Sequence, residues 1–359
     1  MAGLCPAAPI EQSARRLGNL PHRYNRSLKL ALIGYGNVGR ALARLIASKR
    51  REFPFDITGI HTLRHGTAVD SNGLGTEPEF GPRAGSIGEF LDAAGAEVAV
   101  ELTTLEPTSG EPAISHIRAA FARGMHVVTA NKGPIAHAYA DLRDAAARAG
   151  VVFRFESAVM DGAPVFNLWR HTMPGVKVLG FAGALNSTSK VVVETMERGG
   201  SFEDGLAAAR AMGITEAGGA FDVEGWDSAA KTASLANVLL DARTTPQQVS
   251  TRGIARLTPE RVAAINRQGK TVRLISRARR TGAGVSARVR AEVLDRADIL
   301  AAPQGTSNIL LFHTDLMGTF GTVSIEPGVE QTAYGVFSDL VSCGAEAAGQ
   351  ARNGAYRHA

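Results

Sequence analysis

Two charged residues interrupt an otherwise apolar or small stretch, Trp226 to Leu240, which reads WDSAAKTASLANVLL. They are Asp227 and Lys231, four residues apart, so on a helix they share one face, which continues through Ser234, Leu235 and Val238. A helix so uniformly apolar is expected to be buried. An exposed pair at this spacing contributes little, whereas on a buried helix the pair belongs in a cleft. Just upstream, TEAGGAFDVEGWD crowds Glu216, Asp222, Glu224 and Asp227 into a glycine-bearing loop and helix start. Such carboxylates suit either an ammonium group or a divalent metal. The spacing departs from an EF-hand loop and no histidine stands nearby, so an ammonium is expected. A second lysine, Lys132, lies in VVTANKGPIA at the carboxyl end of a predicted strand, with Pro134 expected as the first residue of the next helix. Ligands of open α/β sheets bind at such strand ends. A lysine there suits contact with a cofactor phosphate, or proton transfer if burial lowers its pKa.

The elements that must position these groups begin at LALIGYGNVGRALARLI, Leu30 to Ile46. An apolar strand leads into Gly34, Gly36 and Gly39, after which Leu42, Leu45 and Ile46 recur at helical spacing. In a dinucleotide-binding turn the first glycine permits the bend, the second lets the backbone approach a pyrophosphate, and the third brings helix against strand. The pyrophosphate then sits at the positive end of the helix starting near Asn37, beside Val38. An acid is expected about 20 residues on if NAD ribose is gripped. The sequence there is GIHTLRH, so Arg64, assisted by Arg40, is expected to meet a 2′-phosphate, favouring NADP with NAD as the alternative.

Short apolar runs alternate with helical ones from Leu28 to Phe155. FDITGIHTLRH, EVAVELTT, MHVVTANKGP and GVVFRFESAV read as strands, while PAISHIRAAFARG and IAHAYADLRDAAARAG read as helices closed by glycine. The predicted fold is α/β: a doubly wound Rossmann-type parallel sheet over 28–155, then a second, α+β domain over 156–325. Residues 1–27 are expected to be a loose tail, and 326–359 to return to the nucleotide-binding domain.

The 359 residues are 45% apolar and 20% charged, ordinary for a globular protein, and no apolar run reaches the roughly 20 residues of a membrane span. The first 27 residues lack the apolar core of a signal peptide, so a cytoplasmic location is expected. The net charge of +5 is dispersed, and Arg277 to Arg280 reads as a solvated face, so nucleic acid is not an expected partner. Cys5 and Cys343 allow neither a disulfide framework nor a thiolate metal site. Neither lies near the motifs, which excludes thioester chemistry on a cysteine.

Taken together, GYGNVGRAL, VELTT, GMHVVTANKGPIA, DGAPVFNL, GALNSTSK, MERGGSFEDGLAAARAMGITEA, DVEGWDSAAK and EPGVEQTAYGVFSDL resemble the homoserine dehydrogenase family, in the family's order, over roughly Leu28 to Leu340. The resemblance implies interconversion of L-homoserine and L-aspartate 4-semialdehyde with NAD(P)H. It implies that Lys231 and Lys132 handle the hydroxyl proton, that Glu216 and Asp227 orient the substrate amino group and the active lysine, and that Asp222 lines the site. Thr103 and Asn131 fall where the family contacts the nicotinamide half of the cofactor. A Na+ or K+ site near Glu156 and Val159 and a homodimer through the second domain, which is then the catalytic and dimerisation domain, are further implications; many family members carry a C-terminal regulatory domain, and this chain is expected to be a short form without one. Two segments depart from the family pattern. Val159-Met160-Asp161-Gly162-Ala163-Pro164 replaces a glycine-rich turn, and Asn186-Ser187-Thr188-Ser189-Lys190-Val191 replaces NGTTNY. A related hydroxy amino acid or aldehyde is therefore the alternative substrate, and a catalytically idle dinucleotide-binding sensor the alternative outside enzymes.

Overall fold

The computed structural model describes residues 27–215 and 219–355, with side chains to 346. The expected tail before residue 27 and the expected substrate ligand Glu216 lie outside the described residues.

The first sheet has the order β3-β2-β1-β4-β5-β6. Its strands are β1 (Leu28–Ile33), β2 (Phe55–Thr62), β3 (Gly66–Val69), β4 (Val98–Glu101), β5 (His126–Thr129) and β6 (Phe153–Arg154). Helices α1 (Asn37–Lys49), α2 (Ile87–Ala94), α3 (Ala113–Phe121) and α4 (Lys132–Ala149) connect them. The sheet is mixed rather than wholly parallel, because Leu63 to His65 turn β2 back into β3 as an antiparallel hairpin. The predicted last strand is also shorter than expected. After Arg154 the chain leaves the sheet for a short 3-10 turn, Glu156–Ala158, where Glu156 serves a different element.

β1 lies between β2 and β4, so the strand order reverses between β1 and β4. Their carboxyl ends open the crevice in which open α/β sheets bind ligands. Helix α4 begins at Lys132, two residues before Pro134, because the Asn131 side chain caps it by accepting from Gly133 N at 2.9 Å.

The rest of the chain forms α5 (Phe166–Thr172), β7 (Val178–Ala184), α6 (Ser187–Glu197), α7 (Phe202–Ala211), α8 (Ala220–Val223), α9 (Trp226–Leu239), β8 (Ser250–Arg252), α10 (Pro259–Asn266), β9 (Lys270–Thr281), β10 (Gly284–Asp295), β11 (Asn308–Thr314) and β12 (Thr319–Ser324). They build a second sheet, β12-β11-β7-β9-β10-β8, antiparallel except where β8 meets β10. Arg277 within it is paired, donating to Glu292 at 2.8 and 3.0 Å.

The long helix α11 (Val329–Ala355) lies against the first sheet's layer, packing Ala333, Val336, Phe337, Leu340 and Cys343 with Leu30, Leu42 and Phe55. Helix α9 is buried along most of its length and ties the two halves together. Asn237 in α9 donates to the Ile135 carbonyl of α4 at 3.0 Å. Among the described residues, no helix is long and apolar enough to cross a membrane.

Candidate active site

The glycine turn after β1 separates structural need from ligand need. Gly34 has φ +101°, and a Cβ there would come within 2.7 Å of the Leu102 carbonyl oxygen. Glycine is therefore required by the fold at this position. Gly39 is buried, and its Cβ would meet the Gly34 carbonyl at 3.1 Å, consistent with close approach of helix to strand. Gly36 is different: its φ is −80°, and an added Cβ would meet nothing within 4 Å. Neither strain nor internal packing asks for glycine there, so the open space beside it is room for something outside the chain. Gly36 also caps none of the first-turn amides of α1 with a side chain, leaving Asn37 and Val38 at a bare helix N-terminus. These residues fit a dinucleotide pyrophosphate.

Around the turn, Arg40 donates to the Tyr35 carbonyl at 3.3 Å and to Asn37 Oδ1 at 3.0 Å, which folds it over the helix start. Arg64 is exposed in the β2–β3 turn. Across the crevice, the Asn131 amide donates to the Thr103 carbonyl at 3.2 Å. Beneath Thr103 sits Glu101, buried at the end of β4, which accepts from Thr103 N at 3.0 Å, from the Thr103 hydroxyl, and from Thr129 Oγ1 at 2.9 Å. Glu101 was not anticipated, although a charge inside VELTT, in a strand buried on both faces, is the signal that marks it.

Beyond the crevice lies a cavity of about 260 Å3, lined in part by Lys132, Asp161, Asn186, Asp222, Asp227 and Lys231. Asp227 holds both lysines. Its Oδ1 is 3.2 Å from Lys132 Nζ and its Oδ2 is 3.1 Å from Lys231 Nζ. Lys231 also donates to the Leu185 carbonyl at 2.7 Å, which fixes its direction. Glu224 is exposed and does not line the cavity.

Asn186 organises the acids. Its Oδ1 caps α6 by accepting from Ser189 N at 2.7 Å, while its Nδ2 donates to Asp222 Oδ1 at 2.8 Å and to Asp227 Oδ2 at 3.1 Å. With both ends of the amide used, its orientation is determined. Thr215 completes Asp222, donating at 3.0 Å. Behind Asn186, the fully buried Lys190 donates to the Asn186 carbonyl at 3.0 Å and to Asn308 Oδ1 at 3.1 Å.

The charges set one another's protonation. Burial alone would raise the Asp227 carboxyl, but Lys231 and Lys132 outweigh it and hold Asp227 below the usual carboxylate range. Lys231 is pushed up, since its burial is overcome by Asp227 and Asp161. Burial raises Asp222, with the charge of Asp227 adding to it. Lys190 falls to about 7, through burial and then the like charge of Lys231.

Glu156 and Val159 are buried and do not line this cavity. The Glu156 carboxylate accepts from Val165 N, from Phe166 N at 3.0 Å and from Asn167 N at 2.6 Å, so it caps α5. That carboxylate is thus committed to the fold. Among the described residues no group of three or more His, Cys, Asp or Glu side chains could hold a metal ion.

Comparison with known proteins agrees with this geometry. The family profile described as homoserine dehydrogenase matches residues 164–341, and that described as the homoserine dehydrogenase NAD binding domain matches 34–156. A Pseudomonas canavaninivorans protein named NAD(+)-dependent homoserine dehydrogenase is 36% identical over 334 residues, 87% of this chain and 95% of that protein. The chain belongs to the homoserine dehydrogenase family. A homoserine dehydrogenase of Methanocaldococcus jannaschii is 32% identical, with 88% of this chain and 98% of that one aligned. The crystal structure of homoserine dehydrogenase from Thermoplasma acidophilum superposes with a TM-score of 0.76 at 27% identity, covering 88% of this chain and 98% of that one. As a homoserine dehydrogenase family member the chain is an oxidoreductase with an NAD-binding domain, and the idle-sensor alternative is set aside.

Proposed function

We propose that the protein interconverts L-homoserine and L-aspartate 4-semialdehyde in the cavity between Asn186 and Asp227. The observation that carries this reading is the bridge of Asp227 to both Lys132 and Lys231, in a cavity at the mouth of the dinucleotide crevice. A nicotinamide cofactor bound along Gly34 to Gly39 would supply the hydride or accept it. Lys231, kept protonated by Asp227, gives a proton to the oxygen as the aldehyde is reduced, and its neutral form takes one from the alcohol in the reverse direction. Lys132 shares the same carboxylate and lies close enough to support the charge that develops on that oxygen. Asp222 and Glu216 meet the substrate ammonium, while Thr103 and Asn131 border the nicotinamide.

NADP is the preferred cofactor in this reading. The β2–β3 turn offers Arg64 and no acid where an NAD ribose is gripped, and Arg40 stands at the helix start. Comparing kcat/KM for NADP and NAD in wild type and Arg64→Ala tests it. A loss of about tenfold, confined to NADP, is expected for one phosphate contact. Equal losses for both cofactors, or none, refute the preference.

A related hydroxy amino acid is the second reading, favoured by Asp161, which adds a carboxylate to the cavity lining. Oxidation rates across a panel of hydroxy amino acids, homoserine included, decide between them. We also propose a homodimer formed through the second sheet, whose β10 and β12 expose Val293 and Val323, and a cytoplasmic enzyme. Light scattering gives the mass. The carbonyls near Glu156 and Val159 remain the proposed place for Na+ or K+, which a cation titration of the rate tests.

A further inference from the structure

A second cavity, of about 270 Å3, shares no lining residue with the first. It lies where α4, β6, α5 and α11 meet, and Tyr139, Phe153, Phe155 and Trp169 give it an aromatic wall. Phe155 lies 5.1 Å from Phe153 and 5.6 Å from Tyr139 between ring centroids.

Against that wall stand two guanidinium groups, Arg154 and Arg170. Arg170 lies over the Phe155 ring at 5.8 Å and, among the described residues, makes one hydrogen bond, to Asn167 Oδ1 at 3.1 Å. Arg154 donates to the Phe153 carbonyl at 2.9 Å and pairs with Glu346, yet its Nε is buried and finds no partner among the described residues. Buried donors are ordinarily satisfied, so an orphaned guanidinium N–H is a place for an acceptor. Among the described residues, Glu346 is thus the one carboxylate that lines the cavity for these two cations. Asp339 and Glu156 stand behind Arg170, and burial pushes Asp339 up to about 7 and Glu156 upward, which weakens them as counterions. A third arginine at the rim, Arg143, is already engaged by Asp144 and Asp241 at 2.9 and 2.8 Å.

We propose that this cavity is a second ligand site, taking a small carboxylate with an apolar or aromatic body that docks on Arg154 and Arg170 and packs against the aromatic wall. A planar guanidinium suits a carboxylate bidentately, and the surplus cation offsets the ligand's charge. The carboxylate can belong to a plain acid or to an α-amino acid, whose ammonium would then meet Glu346.

Calorimetric titration of the whole chain decides it and requires no turnover, so its failure stands apart from failure of the proposed reaction. The probes are 3-phenylpropanoate, L-phenylalanine and the uncharged 3-phenylpropanamide. At least one acid is expected to bind saturably, undisplaced by excess L-homoserine, while the amide does not. L-phenylalanine binding the tighter identifies an amino-acid site; 3-phenylpropanoate binding as well or better identifies a plain carboxylate site. Arg154→Met is expected to weaken binding by at least about tenfold. Ala147→Trp, at an exposed lining position, is expected to block the cavity without touching the arginines. No binding by either acid up to about 10 mM, displacement by homoserine, or undiminished binding to Ala147→Trp overturns the proposal.

Discussion

The Nζ of Lys132 lies 3.2 Å from Oδ1 of Asp227, joining the head of α4 to the first turn of α9. The same carboxylate, through its other oxygen, is also the counterion of Lys231. Replacing it with an amide removes the charge that holds both ammonium groups while preserving shape. Asp227→Asn is expected to lower kcat by about a hundredfold, in the range of positioned acid–base groups. It should also move the alkaline limb of homoserine oxidation to lower pH, because the burial of Lys231 is then less opposed. An unchanged rate with an unmoved profile would remove Asp227 from the reaction.

Lys231 is raised above the ordinary lysine value, so near neutral pH only a small fraction is deprotonated. Oxidation of the alcohol needs that neutral form, whereas reduction of the aldehyde needs the ammonium. The oxidation rate is therefore expected to climb about tenfold per pH unit from roughly 7 to 9, with reduction flat over the same interval. Lys231→Ala should lose about 10² to 10⁴ in turnover together with this slope. A variant that keeps the slope points to another base.

Gly34 and Gly36 make a paired test of the turn. Gly34→Ala forces a Cβ to 2.7 Å from the Leu102 carbonyl at positive φ, so it is expected to cost about 1–3 kcal/mol and lower Tm. Gly36→Ala meets no protein atom within 4 Å and should leave Tm unchanged while raising KM for the dinucleotide. Equal cofactor affinity in Gly36→Ala would place the pyrophosphate elsewhere.

Lys190 titrates near 7 when folded, against an ordinary 10.5 in the unfolded chain. Between those values the unfolded chain holds the extra proton, so this lysine's contribution to stability rises with pH across that window. Its cost is full below about 7 and gone above about 10.5. Denaturant midpoints of wild type relative to Lys190→Met should therefore improve steadily from pH 7 to 10. A difference independent of pH would mean that Lys190 is charged in the fold throughout.

Local chemistry was legible in the chain. The four-residue spacing of Asp227 and Lys231 suffices to put them together, because a helix turns 3.6 residues per turn wherever it lies. The nearly uncharged run around them announced a buried helix, and α9 is one. Turn glycines and cap residues act over a few bonds, which is why the strand, glycine turn and helix after Leu28 were readable residue by residue. The hairpin that turns β2 back into β3 was missed, since its pairing is decided between strands and carries no strong local turn signal.

The order of residues carries the set of groups and their short-range geometry: two lysines, clustered acids, and a backbone able to cradle a pyrophosphate. Which of them meet follows from the packing of segments distant in the chain. Asn186, far from Asp227 along the chain, donates to both Asp222 and Asp227, and Glu156 spends its carboxylate on the amides at the start of α5. No periodicity encodes such contacts, because they depend on how α4, α6 and α9 pack against one another. Burial then sets the charge states: Asp227 is held ionised by Lys231 of its own helix and by Lys132 brought in from α4, and Lys190 loses its proton near neutrality because packing has removed its water.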